Sequence, residues 1–248
     1  MAQPRFWEIL LFPRDLTCPY CDDENGFCDC ASQIGRYRKD LCLLCGKELP
    51  LYEEYAPYGY RCKECQEQFH YFRAHRSVFY YEGAVRNAIR RFKYKDRIDL
   101  ADPFGREIAA LYQRLKQEDP AFAEVDWITP VPIRWTRRFV RGYNQAEELA
   151  SVISKQIALP CRDVLSRARG TRRLSGLKKE DRKKELDNAI IVKSKWKSVI
   201  SGAKVLLIDD IYTTGSTLDA AAKALYHCGA REIVALSIAR GKDGTLEL

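Results

Sequence analysis

The 248-residue sequence lacks any apolar run close to the roughly 20 residues that a membrane-spanning helix needs. Its first segment, Met1 to Leu11, also lacks the long apolar core and the small-residue cleavage site of a secretory signal peptide. Low-complexity tracts are absent, and nothing repeats except pairs of cysteines. We therefore expect a protein without a membrane span that stays in the reducing cytoplasm.

Cysteine, in contrast, is plentiful near the start of the sequence. Eight of the ten cysteines lie before residue 66. Because the cytoplasm keeps thiols reduced, such a cluster favours metal binding over disulfide bonds. Long periodic apolar patterns begin only after this segment, so a small module held by metal is expected there. We predict two units, a cysteine-rich zinc-ribbon module over residues 1–75 and a larger domain over residues 76–248.

Four of these cysteines have the spacing of a zinc ribbon. Cys42 and Cys45 form one Cys-x2-Cys pair, and Cys62 and Cys65 form another after a gap of 16 residues. Two such knuckles place four thiolates at the corners of a tetrahedron around Zn2+. A site with four thiolates leaves no position for a water molecule, so the predicted zinc is structural rather than catalytic.

The upstream cysteines are predicted to complete a second zinc site, although its second pair has only one intervening residue. Its ligands would be Cys18, Cys21, Cys28 and Cys30. Spacing also allows a crossed arrangement, in which the first upstream pair joins the first pair of the ribbon. Two further cysteines, Cys161 and Cys228, are predicted to be buried small apolar residues. His70 and His75 fall outside the knuckle spacing and are predicted to be surface residues.

Positive charge is concentrated in the middle of the sequence. The net charge of +8 is moderate, but from Arg134 to Glu185 fifteen Lys or Arg residues stand against six Asp or Glu residues. Such a segment attracts phosphate-rich partners, either a nucleotide-like substrate or a nucleic-acid backbone. Within it, residues 162–184 carry no sustained apolar face, which predicts a long loop that is either functional or simply solvated.

Strands and helices alternate after the cysteine-rich segment. Helical apolar spacing begins at Gly83, and further helices are predicted at residues 103–116, 144–156 and 217–227. Strands are predicted at residues 125–132, 204–209 and 232–239. A strand, helix, strand unit of this kind forms a parallel sheet with a right-handed crossover, so the second unit is predicted to be an α/β domain.

A polar loop follows the strand at residues 204–209. The strand is apolar from Val205 to Ile208, and Asp209 and Asp210 then mark its carboxyl end, where open α/β sheets bind their ligands. The turn into the next helix consists of Thr213, Thr214, Gly215, Ser216 and Thr217. The hydroxyls, the glycine and the amide groups of the helix start together suit a monophosphate.

The two carboxylates need a different ligand, because they would repel a phosphate. Vicinal ribose hydroxyls can donate hydrogen bonds to both carboxylates, which can also hold a Mg2+ ion that bridges the sugar and a pyrophosphate. A phosphate cradle beside a diol clamp describes a ribose 5-phosphate. The segment from Val205 to Thr217 resembles the phosphoribosyl pyrophosphate (PRPP) motif of type I phosphoribosyltransferases.

Further motifs narrow this resemblance to the ComF family. Thr129 to Pro132, Arg141 to Ala146 and Ser237 to Arg240 are similar to segments of that family, and the likeness runs from about Phe12 to Arg240. The resemblance implies a type I phosphoribosyltransferase-like parallel sheet with helices on both faces. It also implies a small N-terminal zinc-ribbon module.

The resemblance implies roles for individual residues as well. The loop that starts at Thr129 and includes Val131 takes the place where related transferases hold pyrophosphate. Arg141, Asn144 and Gln145 reproduce a family signature, in which Arg141 is expected to face phosphate oxygens. Asn144 equally suits a helix N-cap without any contact to the ligand. Asp209 and Asp210 are the residues expected to take part in catalysis.

Two functions follow from the sequence. The resemblance implies a competence protein of natural transformation that handles incoming single-stranded DNA beside a DNA helicase. Aromatic residues from Tyr52 to Phe72 either stack on bases or form the small core of the cysteine-rich module. The alternative is an active transferase that moves ribose 5-phosphate from PRPP to an acceptor. Leu174 and Glu185 stand where ComF sequences tend to carry Gln and Asn, which favours ligand binding over turnover.

Overall fold

The computed structural model of the chain describes Cys18, Tyr20 and residues 40–95, 97–167 and 190–241. Three predicted ligands of the second zinc site, Cys21, Cys28 and Cys30, lie outside the described residues, as does most of the basic loop. Within the described ranges, no helix is both long and apolar enough to cross a membrane.

A four-stranded parallel sheet forms the centre of the structure. The strands are β1 (Ala74–Tyr80), β2 (Trp127–Pro130), β3 (Leu165–Arg167), β4 (Ile190–Val192), β5 (Lys204–Tyr212) and β6 (Glu232–Arg240). The order in the sheet is β1, β6, β5, β2, and every pairing in it is parallel. The short strands β3 and β4 pair with each other in an antiparallel hairpin.

Helices pack on both faces of this sheet, as the sequence predicts. They are α1 (Lys63–Glu67), α2 (Gly83–Tyr94), α3 (Ala101–Glu118), α4 (Trp135–Arg141), α5 (Gln145–Ile157), α6 (Lys197–Ile200) and α7 (Ser216–His227). Short 3-10 turns lie at Tyr52–Tyr58, Ile98–Leu100, Pro120–Phe122 and Ser194–Trp196. The apolar sides of α2, α3 and α5 share one core with the sheet, and α7 shares a second core on the opposite face.

The strand β5 is central because both of its faces are apolar. Leu206 and Ile208 point into the core with α3 and α5, whereas Val205 and Leu207 point into the core with α7. All four side chains are fully buried. A strand covered on both faces has a continuous run of apolar residues. Asp209 and Asp210 follow this run within β5, toward the carboxyl end of the sheet, where such sheets bind their ligands.

The cysteine-rich segment lies against the same face of the sheet as α7. Its four ribbon cysteines belong to the same core as Val205 and Leu207. The backbone N–H of His75 donates to the carbonyl oxygen of Leu44 at 2.7 Å, and Arg76 Nη1 donates to that of Leu43 at 3.0 Å. The boundary predicted between residues 75 and 76 falls inside β1, and the separation into two folding units stays a prediction.

Several residues predicted from the sequence to be ordinary lie in unexpected environments. His75, predicted to be at the surface, is 0% exposed because it is in β1 between the sheet and the cysteine-rich segment. His70 is partly buried. Cys161, predicted to be buried, is exposed because its segment forms only an isolated bridge to Ile128, and Cys228 is only partly buried at the end of α7.

Candidate functional site

A pocket of about 360 Å³ opens at the carboxyl ends of β2 and β5. The segment after β2 and the segment from Asp209 to Thr213 form two of its walls. Seven of its lining residues carry charge: Lys93, Arg134, Arg137, Arg141, Arg167, Asp209 and Asp210. Five cations around two carboxylates create a site that suits a polyanion with hydroxyl groups or a bound metal ion.

The turn between β5 and α7 forms one end of the pocket. Gly215 has a φ of +77°, and α7 begins at the next residue. The hydroxyl oxygens of Thr214 and Ser216 are 2.7 Å apart. Thr213 and Thr217 line the pocket, whereas Thr214, Gly215 and Ser216 shape the turn. The left-handed glycine directs the chain so that the helix start faces the pocket, which is the arrangement of an anion-binding turn.

Asp209 and Asp210 have different environments although they are adjacent. The backbone N–H of Asp210 donates to Asp209 Oδ1 at 2.8 Å, and Lys93 Nζ lies 2.9 Å from Asp210 Oδ2. Burial, followed by repulsion from Asp210, raises the pKa of Asp209 to about 7. The pair therefore carries less than its full negative charge near neutral pH, and a cation or a hydroxyl donor favours the ionised form.

The raised pKa of Asp209 predicts a pH-dependent stability. Its protonated form stabilises the folded chain below the unfolded pKa of about 3.9, and this contribution is lost as the pH rises through the folded pKa of about 7. We expect the stability of Asp209→Asn relative to the parent to be greater at pH 8 than at pH 5 by about 2–3 kcal/mol, because one pKa unit corresponds to about 1.4 kcal/mol. Urea unfolding at both pH values measures this difference, and equal differences at both would contradict the assignment.

The arginines reach the pocket from several elements. Arg134 and Arg137 come from the start of α4, and Arg141 is at its end. The guanidinium of Arg141 lies 4.6 Å from the centre of the Tyr94 ring, and the residue is only 8% exposed. Arg167, in β3, donates from Nε to the carbonyl oxygen of Pro132 at 2.9 Å, and burial lowers its pKa. These contacts hold Arg141 and Arg167 in place before a ligand arrives.

Lys93 and Arg167 are pocket residues that the sequence did not single out. Lys93 lies in α2, 116 residues before Asp209, and Arg167 lies at the edge of the basic loop. The one available signal was their membership in basic stretches. Lys93 pairs with Asp210 across a long sequence separation, so the sequence alone does not indicate this contact.

Asn144 has two structural tasks beside its place in the pocket wall. Its Oδ1 accepts from the backbone N–H of Ala146 at 3.1 Å, which is the predicted N-cap of α5. Its Nδ2 donates to the carbonyl oxygen of Val131 at 3.1 Å and so fixes the loop after β2. Val131 and Asn144 both line the pocket.

Gln145 and Thr129 lie behind the pocket wall rather than on it. Gln145 is 0% exposed, and its Oε1 accepts from Arg141 Nη1 at 3.2 Å. Thr129 is also 0% exposed, and its hydroxyl oxygen has no hydrogen-bond partner within the described residues. We assign both residues a supporting role: Gln145 orients Arg141, and Thr129 belongs to β2 beside Leu207.

The four ribbon cysteines form a candidate metal centre. The Sγ atoms of Cys42, Cys45, Cys62 and Cys65 all lie within 4.8 Å of one another, and all four residues are buried. Four convergent thiols in a reduced chain are the donor set that Zn2+ prefers in structural sites. The crossed arrangement is absent from the described residues, because Cys18 belongs to the opposite core, beside Tyr20.

A chain of contacts connects this metal centre to the anion-binding turn. Arg240 Nη1 donates to the carbonyl oxygen of Cys45 at 3.0 Å, and His75 Nδ1 lies 3.0 Å from the same atom. Burial lowers the pKa of His75 to about 3, so the ring is neutral and donates from Nδ1. The His75 ring stacks on Tyr212, with centroids 4.1 Å apart. A Cβ atom on Gly215 would lie 2.6 Å from Tyr212 Oη.

Comparisons with known proteins agree with this arrangement. The model of the phosphoribosyl transferase domain matches residues 143–248. Competence protein F of Haemophilus influenzae is 29% identical over 219 residues, which cover 88% of this chain and 91% of that protein. Competence protein ComFC of Bacillus subtilis is 26% identical over 84% of this chain and 80% of its own length. DNA utilization protein YhgH of Escherichia coli is 26% identical over 84% of this chain and 87% of its own length.

These relatives extend over both the cysteine-rich segment and the α/β domain, and the matched domain contains the acid pair and the anion-binding turn. The chain is similar over most of its length to competence proteins F and ComFC, and it combines a phosphoribosyltransferase-type α/β domain with an N-terminal four-cysteine module of the zinc-ribbon type.

Proposed function

We propose that the pocket binds the ribose 5-phosphate part of PRPP or of a related ligand, and that the protein handles single-stranded DNA in the cytoplasm during natural transformation. The observation that carries the first part is the convergence of five cations and two carboxylates in one pocket. Relatives named as competence and DNA utilization proteins support the second part. A DNA helicase partner stays a prediction.

Each wall of the pocket receives one part of the ligand. The turn from Thr213 to Thr217 offers hydroxyl and amide donors to the 5-phosphate. Asp209 and Asp210 accept hydrogen bonds from the ribose hydroxyls, which donate to carboxylates. The arginines after β2 and on α4 face the pyrophosphate. A Mg2+ ion bound together with PRPP would supply positive charge to the site, and the carboxylates of Asp209 and Asp210 would offer the oxygen ligands that it prefers.

The acid pair gives the sharpest test of this proposal. We expect Asp209→Asn and Asp210→Asn each to weaken Mg2+-dependent binding of PRPP at least about tenfold, since a hydrogen bond to a charged group contributes about 1.5–3 kcal/mol. Isothermal titration calorimetry with and without Mg2+ measures the effect. Asp102→Asn is a suitable control, because Asp102 is an exposed residue that pairs with Arg106 and does not belong to the pocket lining. Equal affinities in the parent and both acid-pair variants would end the proposal.

Single-stranded DNA binding is tested separately by its salt dependence. We expect the affinity for an oligonucleotide to fall as the salt concentration rises. Lysines and arginines that neutralise the phosphates displace counterions from the nucleic acid, and this release is less favourable at high salt. Fluorescence anisotropy between about 50 and 200 mM salt covers the useful range. An absence of binding at low salt would remove the nucleic-acid part and leave the PRPP pocket intact.

Active phosphoribosyl transfer is the alternative, and the match of residues 143–248 to a phosphoribosyl transferase domain supports it. Turnover requires an acceptor, which loses a proton as its nitrogen attacks the ribose carbon and pyrophosphate leaves. The measurement is pyrophosphate release from PRPP in the presence of purine and pyrimidine bases. Release that depends on both a base and Asp209 supports the transferase, and binding without release supports the ligand-binding function.

A further inference from the structure

We infer that α4 is the surface on which single-stranded nucleic acid lies, with bases on its aromatic side chains and phosphates on its arginines. This inference rests on the proposed function and names the site of the DNA contact. It differs from the expectation that the aromatic residues of the cysteine-rich module hold the bases.

The composition of α4 is unusual for a helix of a folded domain. Trp135 is 67% exposed, Phe139 is 87% exposed and Val140 is 82% exposed. In α2, α3, α5 and α7, by contrast, large apolar side chains pack into the two cores beside the sheet. On α4 they turn toward solvent, and the buried residue of this helix is Arg141 at its end. An exposed apolar face of this kind marks an interaction site.

The two exposed rings are spaced for stacking. Trp135 and Phe139 are four residues apart, so they lie on the same side of the helix, one turn from each other, about 5–6 Å between their Cβ atoms. Each ring offers a face on which a base of any identity can stack. Two adjacent rings at this separation suit successive unpaired bases rather than a base pair, whose faces are covered within a duplex.

The positive charge around these rings indicates a polyanionic binding partner. From Arg134 to Arg141 the chain has four arginines and no acidic residue. Arg134 and Arg137 also line the pocket, so the helix surface continues into the predicted phosphate site. Arg138 instead pairs with Glu147 at 2.6 Å. A second copy of the chain is less suited to this surface, because a two-fold axis would bring the same arginines together.

The cysteine-rich module has the opposite charge. Residues 40–72 contain six acidic and three basic residues. Its exposed rings include Tyr58 and Phe69, and Glu53 and Glu54 lie in the same turn as Tyr58. Negative charge beside a ring repels a phosphate backbone, so these rings are poorer stacking sites than those of α4. Tyr52 instead stacks on Tyr60, with centroids 4.3 Å apart, inside the module.

The test compares ring removal on the two surfaces of the full-length protein. We expect the double variant Trp135→Ala, Phe139→Ala to bind an oligothymidylate of about 15 nucleotides at least tenfold more weakly than the parent. Phe69→Ala, which removes a ring that is 78% exposed, is the matched control and should bind like the parent. PRPP affinity and the thermal midpoint of each variant show whether the pocket and the fold are intact.

Fluorescence adds a signature of direct stacking. We expect the oligonucleotide to quench the emission of Trp135 in the parent, and Trp135→Phe to keep most of the affinity while it loses most of the quenching. Full affinity in the double variant would overturn the inference, and so would a loss of affinity that occurs only in Phe69→Ala. Either result would leave the proposed DNA binding in place. No binding by the parent would remove both. A change in oligomeric state without a change in DNA affinity would assign α4 to a contact between copies.

Discussion

Removal of the metal from the four-cysteine centre is expected to lower the thermal midpoint by more than about 10 °C, because structural zinc contributes about 10 kcal/mol or more in small domains. The centre is not peripheral. Its cysteines share a core with β5, and the carbonyl oxygen of Cys45 accepts a hydrogen bond from Arg240 at the end of β6. Loss of the tetrahedron therefore removes packing from the central sheet as well as from the cysteine-rich segment.

The same treatment is expected to weaken PRPP binding. His75 contacts Cys45 on one side and stacks on Tyr212 on the other, and Tyr212 lies directly beneath Gly215. When Cys45 moves, His75 loses the hydrogen bond that fixes its ring. The Tyr212 ring, which supports the anion-binding turn, then loses its fixed stacking partner. Chelation of the metal followed by calorimetry with PRPP measures the effect, and restored affinity after Zn2+ is added back shows that the loss is reversible.

Cys62→Ser and Cys161→Ser provide a matched pair for this experiment. Cys62 belongs to the metal centre, whereas Cys161 is exposed and outside it. We expect the first variant to reproduce the loss of thermal stability and of bound zinc, and the second to retain both. An unchanged midpoint in Cys62→Ser would show that the four thiols do not hold a structural metal. The zinc content of the full-length parent also decides between one site and two, since Cys21, Cys28 and Cys30 belong to the predicted second site.

Gly215→Ala is expected to weaken PRPP binding at least about tenfold while it lowers the stability by about 1–3 kcal/mol. Two effects act together. A side chain is strained at a φ of +77°, and its Cβ would approach Tyr212 Oη to 2.6 Å. Tyr212 cannot easily yield, since it is buried and its ring is stacked on His75. The turn must therefore shift, and its amide groups then point away from the phosphate position.

Gly202→Ala separates these two effects. Gly202 has a φ of +75° and no heavy atom within 4 Å of an added Cβ. It shares the backbone strain of Gly215 without the steric conflict, and it lies outside the pocket lining. We expect a similar strain cost but unchanged PRPP affinity. Adding Tyr212→Phe to Gly215→Ala removes the nearest atom and should recover part of the affinity. If Gly202→Ala and Gly215→Ala bind PRPP equally well, the turn is not the phosphate site.

The sequence alone was sufficient for the features that depend on near neighbours in the chain. The apolar run of β5 followed by Asp209 and Asp210 specified a buried strand and a polar carboxyl end, because strand burial and turn chemistry are local properties. The start of α5 at Asn144 was also readable, since an N-cap needs only its own first turn. The spacing of Cys42, Cys45, Cys62 and Cys65 identified the four thiols that the fold brings together.

Only the tertiary structure decided which distant residues meet. Lys93 contacts Asp210, and Arg167 lines the pocket, because parallel strands bring separate segments to one end of the sheet. The periodicity of the sequence does not predict such contacts between distant segments. His75 was expected at the surface, yet the cysteine-rich segment covers β1 and buries it. The short helix α4 was missed because its apolar and basic residues do not face a core. Packing against distant segments, rather than local preference, determines these positions, and they include the contacts on which the pocket and its support depend.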